Sequence, residues 1–395
     1  MNNSQMKNQM TSFIFCTLTF FSVIGDLYAK ETNPTTVNDF WVNSPKAIEK
    51  AALGVKRGQY SVLTKSQGGR DVYLIEYGEK QDLKRKANYH SASYYRDLSV
   101  YADKSAAKPV VLIVGATHGG EIEGVTAILN LIAELETGQD LRGLTHNWVV
   151  ELTEKYRLLI IPCLNPDGRA RFPFEITPED PVQAVYYKHG QWLDGTPAGY
   201  MNGMQVHPIL GAVSHMGGYY NDAGVNLYAD NYFSPMSPEN KAFFDLVDAE
   251  APDVTLLLHT GCHVHGKLLQ PYYVPGFIGK CVFEFDENLF LSFERAGYTY
   301  YTLRENGVVD INNDIWPPPR FPMETAVTFS CGGLSVVYES NDGVTNPDSP
   351  YYLDHMLNCH FILFEQAFLY AREFQQKCMA AMTDPAYEPG RKHMW

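Results

Sequence analysis

Basic residues are scarce in this chain: 31 Lys plus Arg stand against 45 Asp plus Glu, for a formal net charge of −14. A surface so short of cations excludes the usual nucleic-acid binder, which offers a basic face to phosphates. Close-spaced cysteines are missing too. The seven lie scattered at Cys16, Cys163, Cys262, Cys281, Cys331, Cys359 and Cys378, which excludes a zinc knuckle and a thioredoxin-type motif. Beyond residue 29 no apolar run is long enough to span a bilayer, and there is neither an internal repeat nor a low-complexity tract. Hydrophobic residues at 45% and charged residues at 19% leave ample material for a globular core.

The first 29 residues read as an address. Lys7 precedes a mostly apolar stretch from Phe13 to Ile24, and Ala29 stands just before Lys30. A basic start, a short apolar run and a small residue at the end are the pattern of a secretory signal peptide. An uncleaved anchor is the alternative, although Thr17, Thr19 and Ser22 interrupt the run. The expectation is a secreted or periplasmic protein without stable membrane insertion. Residues 1–29 would be removed, and residues 30–395 would form one domain with its core at about 40–375. Removing Cys16 leaves an even number of cysteines, which permits disulfides without assigning any. The 26 Tyr include adjacent pairs such as Tyr186-Tyr187 and Tyr219-Tyr220, read mainly as half-buried loop anchors.

Strands alternate with helices along the rest. Val110–Val114 is a β-branched run typical of a strand buried on both faces, Gly115–Gly120 is a turn, and Ile122–Glu136 is a helix. Leu158–Leu164 is a second strand, stopped by the turn Asn165-Pro166-Asp167-Gly168. Ser237-Pro238-Glu239 opens a helix, Val254–Leu258 and Leu334–Tyr338 are further strands, and Leu353 to about Phe374 is a packed helix. This alternation predicts an α/β sandwich with a mixed, largely parallel central sheet. Tyr186–Gly218 reads as a long surface loop, and Lys80–Lys108 as an excursion before the first core strand.

The ends of the strands carry the chemistry. The first runs into His118 and Glu121, the third into His259 and the fourth into Glu339. Ligands bind beyond the carboxyl ends of strands in such sheets. His118-Gly119-Gly120-Glu121 places an imidazole and a carboxylate on one tight turn, the glycines letting the backbone bend so that both converge. An H-x-x-E alone is weak; His259 supplies the third donor that a zinc site needs. His263 and His265 are either loop residues beside that site or a second metal pair.

Together these segments resemble the zinc carboxypeptidases of the carboxypeptidase A type. The likeness runs, in order, through Ser66–Arg70, Gly115–Glu121, Leu164–Gly168, Gly224–Leu227, Leu258–Thr260 and Val337–Ser340. The resemblance implies one Zn2+ ion held by His118, Glu121 and His259, with Glu339 as general base and Asn226 orienting the first histidine. It also calls for a cation at the oxyanion. Arg169 and Arg171 follow the Asn-Pro-Asp-Gly turn, and Arg171 is assigned that role. One departure stands out. Where the family has an Asn-Arg pair gripping the substrate's terminal carboxylate, this chain has Tyr228-Ala229. Arg304 and Arg320 are the substitutes considered, and Tyr298, Tyr300 and Tyr301 stand for the family's active-site tyrosine. Trp316–Pro322 reads as a stiff wall or a plain loop.

The expected function is therefore a zinc metallopeptidase, a carboxypeptidase acting on a peptide or peptide-like substrate. The alternative is a zinc amidohydrolase or deacylase acting on an N-acyl amino acid or a cell-wall peptide. A non-catalytic binding protein of the same fold is the third reading.

Overall fold

A computed structural model describes residues 39–84, 87–89, 91, 92, 104, 107–200, 205–274, 276–308 and 321–383. The signal-peptide reading, most of the 80–108 excursion, and Trp316–Arg320 lie outside the described residues.

Eight strands form the central sheet: β1 (Gln59–Lys65), β2 (Asp71–Tyr77), β3 (Val110–Val114), β4 (Arg157–Ile161), β5 (Val254–Thr260), β6 (Gly266–Leu269), β7 (Tyr300–Tyr301) and β8 (Leu334–Ser340). Their order is β1-β2-β4-β3-β5-β8-β6-β7. The middle strands β4, β3, β5 and β8 run parallel, β1 and β2 pair antiparallel on one flank, and β6 pairs antiparallel with β8 on the other. The mixed, largely parallel α/β architecture is as the sequence predicts. The eight principal helices are α1 (Pro45–Leu53), α2 (Glu123–Thr137), α3 (Pro166–Arg171), α4 (Pro181–His189), α5 (Pro238–Glu250), α6 (Gly276–Ala296), α7 (Met323–Cys331) and α8 (Leu353–Thr383).

Alternation along each strand divides the core in two. Val254, Leu256 and Leu258 of β5 pack on one face with α2, α6 and α8, whereas Leu257 points to the other face, where α5 and α7 lie. The parallel strands are apolar on both sides because helices cover both, which keeps their backbone out of water. His118 and Glu121 follow β3, and His259 and Glu339 lie at the carboxyl ends of β5 and β8, on the α5/α7 face.

Several boundaries differ from the sequence reading. Pro162 lacks an N–H, so β4 ends at Ile161 instead of Leu164. The Asn-Pro-Asp-Gly turn is the start of α3: Asn165 Oδ1 accepts from Gly168 N at 2.8 Å, and Pro166 occupies the first turn. Both β5 and β8 run two residues further than expected, so His259 and Glu339 are strand residues and not loop residues. The 186–218 region is not one loop. It includes the end of α4 and a small hairpin of Gln191–Trp192 with Val213–His215. Among the described residues no helix is long and apolar enough to cross a membrane. The six described cysteines are all free thiols.

Candidate metal centre

The turn after β3 is shaped by close approach. A side chain at Gly119 would put its Cβ 2.0 Å from Arg169 N, so only glycine lets the α3 turn pack against the His118 loop. Gly119 N donates to Gly218 O at 2.7 Å, which ties the same loop to a third segment. Neither Gly119 nor Gly120 has a positive φ, so the glycines serve clearance and not an unusual backbone conformation. Ala116, two residues before His118, does adopt φ 46°, a conformation that costs an alanine about 1–2 kcal/mol.

Glu121 sits between the two histidines. His118 Nδ1 lies 2.9 Å from Glu121 Oε1, and His259 Nδ1 lies 2.8 Å from Glu121 Oε2. One donor atom from each of the three comes within 4.8 Å of the others, and all three residues are buried. Two imidazoles and a carboxylate fit zinc, which favours such N and O donors. Burial and charge pull against each other here. Burial lowers the His118 pKa, with Glu121 opposing. For His259 burial also disfavours the cation, but the Glu121 carboxylate outweighs it and the pKa is raised. Burial penalises the Glu121 anion, yet the two imidazoles hold its pKa well below the usual carboxylate range.

Asn226 stands where the sequence places it. Its Oδ1 is 3.1 Å from His118 Nε2 and also accepts from Tyr228 N at 3.0 Å. An amide oxygen there selects the tautomer protonated at Nε2 and leaves Nδ1 facing Glu121. Glu339 is the register partner of His259 across the parallel β5/β8 pair, so both side chains project from the same face. Burial pushes its carboxyl up to about 7, with the nearby Glu121 charge adding to the effect.

The arginines do not join this group. Arg171 Nε donates to Gly217 O at 2.9 Å, and its two terminal nitrogens engage Tyr220 O and Asp222. Arg169 is buried and holds Asn43 and the carbonyls of Phe172 and Phe174. Both guanidiniums knit loops together, and the oxyanion role expected of Arg171 has no contact to support it among the described residues. Arg304 lies 5.0 Å from the Phe283 ring of α6, on the opposite face of the sheet. His265 is a structural residue, with Nδ1 at 2.6 Å from Thr299 Oγ1 and Nε2 at 2.7 Å from Pro350 O. His263 is exposed beside Tyr301. Neither belongs to the triad.

Three neighbours escaped the sequence reading. The Tyr219 ring stacks on His118 at 3.8 Å and 7°, and its hydroxyl bonds to Glu121. Tyr298, Tyr300 and Tyr301 are not in that position; Tyr300, for one, donates to buried Asp286 at 2.7 Å. Lys188, in α4, is buried with Nζ 2.5 Å from Asp342 Oδ1. Lys267 is the register partner of Glu339 on β6. In the sequence Tyr219 is one half of an adjacent tyrosine pair, and nothing local points to either lysine.

Residues 56–175 match the model of the zinc carboxypeptidase family, a stretch that includes His118 and Glu121 but ends before His259 and Glu339. No curated protein matches the chain by sequence. The fold is similar to a metallo-carboxypeptidase from Burkholderia cenocepacia, with 15% identity, a TM-score of 0.51, and coverage of 83% of this chain and 68% of that one. It is likewise similar to a metallo-carboxypeptidase from Pseudomonas aeruginosa, with 14% identity, a TM-score of 0.50 and the same two coverages of 83% and 68%. At those identities the likeness is one of fold. The family-model match over residues 56–175 and this shared fold make the chain similar to the zinc carboxypeptidases.

Proposed function

We propose that the protein is an exported, zinc-dependent metallopeptidase that hydrolyses a peptide amide near a chain end as a carboxypeptidase. One Zn2+ would be held by His118, Glu121 and His259, within a single catalytic domain spanning residues 30–395. The observation that carries this reading is the convergence of those three buried donors beside Glu339 at the carboxyl end of the sheet. Zinc in such a site supplies a Lewis acid for the scissile carbonyl and acidifies a water molecule.

The protein's own groups do the rest. Asn226 keeps the His118 proton on Nε2, and Tyr219 fixes the ring plane by stacking. Glu339 takes the proton from water as the new C–O bond forms. It returns that proton to the amine nitrogen as the C–N bond breaks. Its carboxyl, pushed up to about 7 by burial, would be drawn down by a dication held in the triad and so kept ionised to act as base. Arg171 takes no part in this scheme.

The Pseudomonas aeruginosa relative was solved with (2-guanidinoethylmercapto)succinic acid, whose carboxylates support a substrate with a free acid end. Tyr228-Ala229, in place of a carboxylate-gripping Asn-Arg pair, favours the second reading, an amidohydrolase of N-acyl amino acids or cell-wall peptides. Mass spectrometry of products from one peptide offered as free acid and as amide separates them. Trimming of the acid alone is the expected result. Glu339→Gln should keep zinc while turnover falls by about 10²–10⁴. Near wild-type turnover in that variant would remove Glu339 from its role. N-terminal sequencing of the exported protein should begin at Lys30.

A further inference from the structure

The charges around the triad are mostly negative. Glu121 acts on Glu339, Glu123 faces Asp342, and the buried Lys188 ammonium is already committed to Asp342 at 2.5 Å. Arg169 and Arg171 hold loop carbonyls, and Arg304 lies on the other face. One cation differs from these. Lys267 lies opposite Glu339 in the antiparallel β6/β8 pair, and Glu339 lies opposite His259 in the parallel β8/β5 pair. The three side chains therefore form a row across adjacent strands on one face. Directly opposed residues place their Cβ atoms about 4.5–5.5 Å apart, well within reach of a lysine's four-carbon stem. Lys267 is half-buried, and among the described residues no ion pair engages its ammonium, not even with Glu339. Its other register partner is Tyr301 of β7.

The Lys267 charge acts on Glu339 from across the strands without closing an ion pair among the described residues, which leaves its ammonium able to meet an anion that arrives with the ligand. We propose that Lys267 is the substrate-binding cation of this site, pairing with a carboxylate carried next to the amide bond that is cut. A carboxylate fits better than a phosphate: one ammonium balances one negative charge, and a dianion would meet repulsion from the neighbouring glutamates. This assignment rests on the metallopeptidase reading and supplies the carboxylate recognition that Ala229 cannot. Lys267 is a specificity residue, and its effect should fall on KM more than on kcat.

The test is calorimetric binding of N-acetyl-leucine and of N-acetyl-leucinamide to the zinc-loaded protein, to Lys267→Met and to Lys267→Arg. Zinc content and melting temperature serve as checks on folding. The wild type should bind the acid about tenfold or more tightly than the amide, as expected for one charge-assisted hydrogen bond. Lys267→Met should bring the ratio to about one, Lys267→Arg should restore most of it, and salt should erode it. An equal affinity for both ligands in the wild type, or an unchanged ratio in Lys267→Met, overturns the proposal. Hydrolysis is scored separately. A ratio lost in Lys267→Met from a protein that cuts no peptide would uphold the lysine's role and remove the peptidase reading. Peptide cleavage with a ratio indifferent to Lys267 would do the reverse.

Discussion

The two faces of β8 each hold a buried imidazole, and the two behave in opposite ways. On the α8 side, His360 is edge-on to Tyr338 at 5.2 Å, and its Nδ1–H donates to Met356 O at 2.8 Å. Its Nε2 finds no partner among the described residues, and burial lowers the pKa to about 4. One residue along the strand and on the other face, Glu339 stands beside His259, whose Nδ1 is 2.8 Å from Glu121 and whose pKa is raised. Their exposures are 1% and 3%, so burial does not separate them. The counter-charge does. A histidine sealed in apolar packing is a neutral filler, whereas one sealed beside a carboxylate keeps its charged form within reach.

Removing a donor from the charged side should have the largest effect. His259→Ala leaves Glu121 one imidazole short and the triad one ligand short. Zinc affinity should fall by more than the 10–100-fold that loss of an outer-shell partner costs, with peptide hydrolysis lost alongside. Metal analysis after dialysis checks this, and full zinc occupancy would reassign the third ligand. The apolar side should respond only through pH. A histidine with a depressed folded pKa contributes stability above its unfolded value of about 6.5 and loses it as pH falls toward 4. His360→Phe should abolish that component, which amounts to up to about 3 kcal/mol across the window. Urea titrations of both proteins at pH 7 and pH 4.5 would measure it. Parallel loss of stability in the two would mean that His360 titrates as if exposed.

The contrast also explains what could be read from the sequence. The strands of the parallel core were legible because residues such as Val110–Val114 are apolar without interruption, a pattern that few other structures produce. His118, Glu121, His259 and Glu339 were legible as a set because each closes or follows such a run. The partners that decide what these groups do come from register and crossover, which leave no local trace. Lys267 meets Glu339 only because β6 turns back beside β8. Tyr219 reaches His118 through the hydrogen bonds of Gly218 N to Tyr187 O and of Tyr219 N to Lys188 O, across a region that reads as loop. The role expected of Arg171 depends on such contacts too. Proximity in sequence to the Asn165 turn suggested the oxyanion, whereas the carbonyls of Gly217 and Tyr220 that claim its donors come from a segment about fifty residues away.

The smallest of these expected effects concerns how firmly the first ligand is held. Two contacts orient the His118 ring: the Asn226 oxygen at Nε2, which sets the tautomer, and the Tyr219 face, which sets the plane. Asn226→Ala removes the first and leaves the second, so zinc should bind about 10–100-fold more weakly while the site stays assembled. Asn226→Asp should recover that loss or exceed it, since an ionised acceptor makes the imidazole a better donor to the metal. The Tyr219→Ala exchange then tells the two devices apart. If plane and tautomer are set independently, the double variant loses the sum of the two single losses; if one contact depends on the other, it loses less. Competition with a zinc chelator across the four proteins reads this directly. An Asn226→Ala protein with wild-type zinc affinity would mean that stacking alone holds the ring and that the amide serves the Tyr228 backbone.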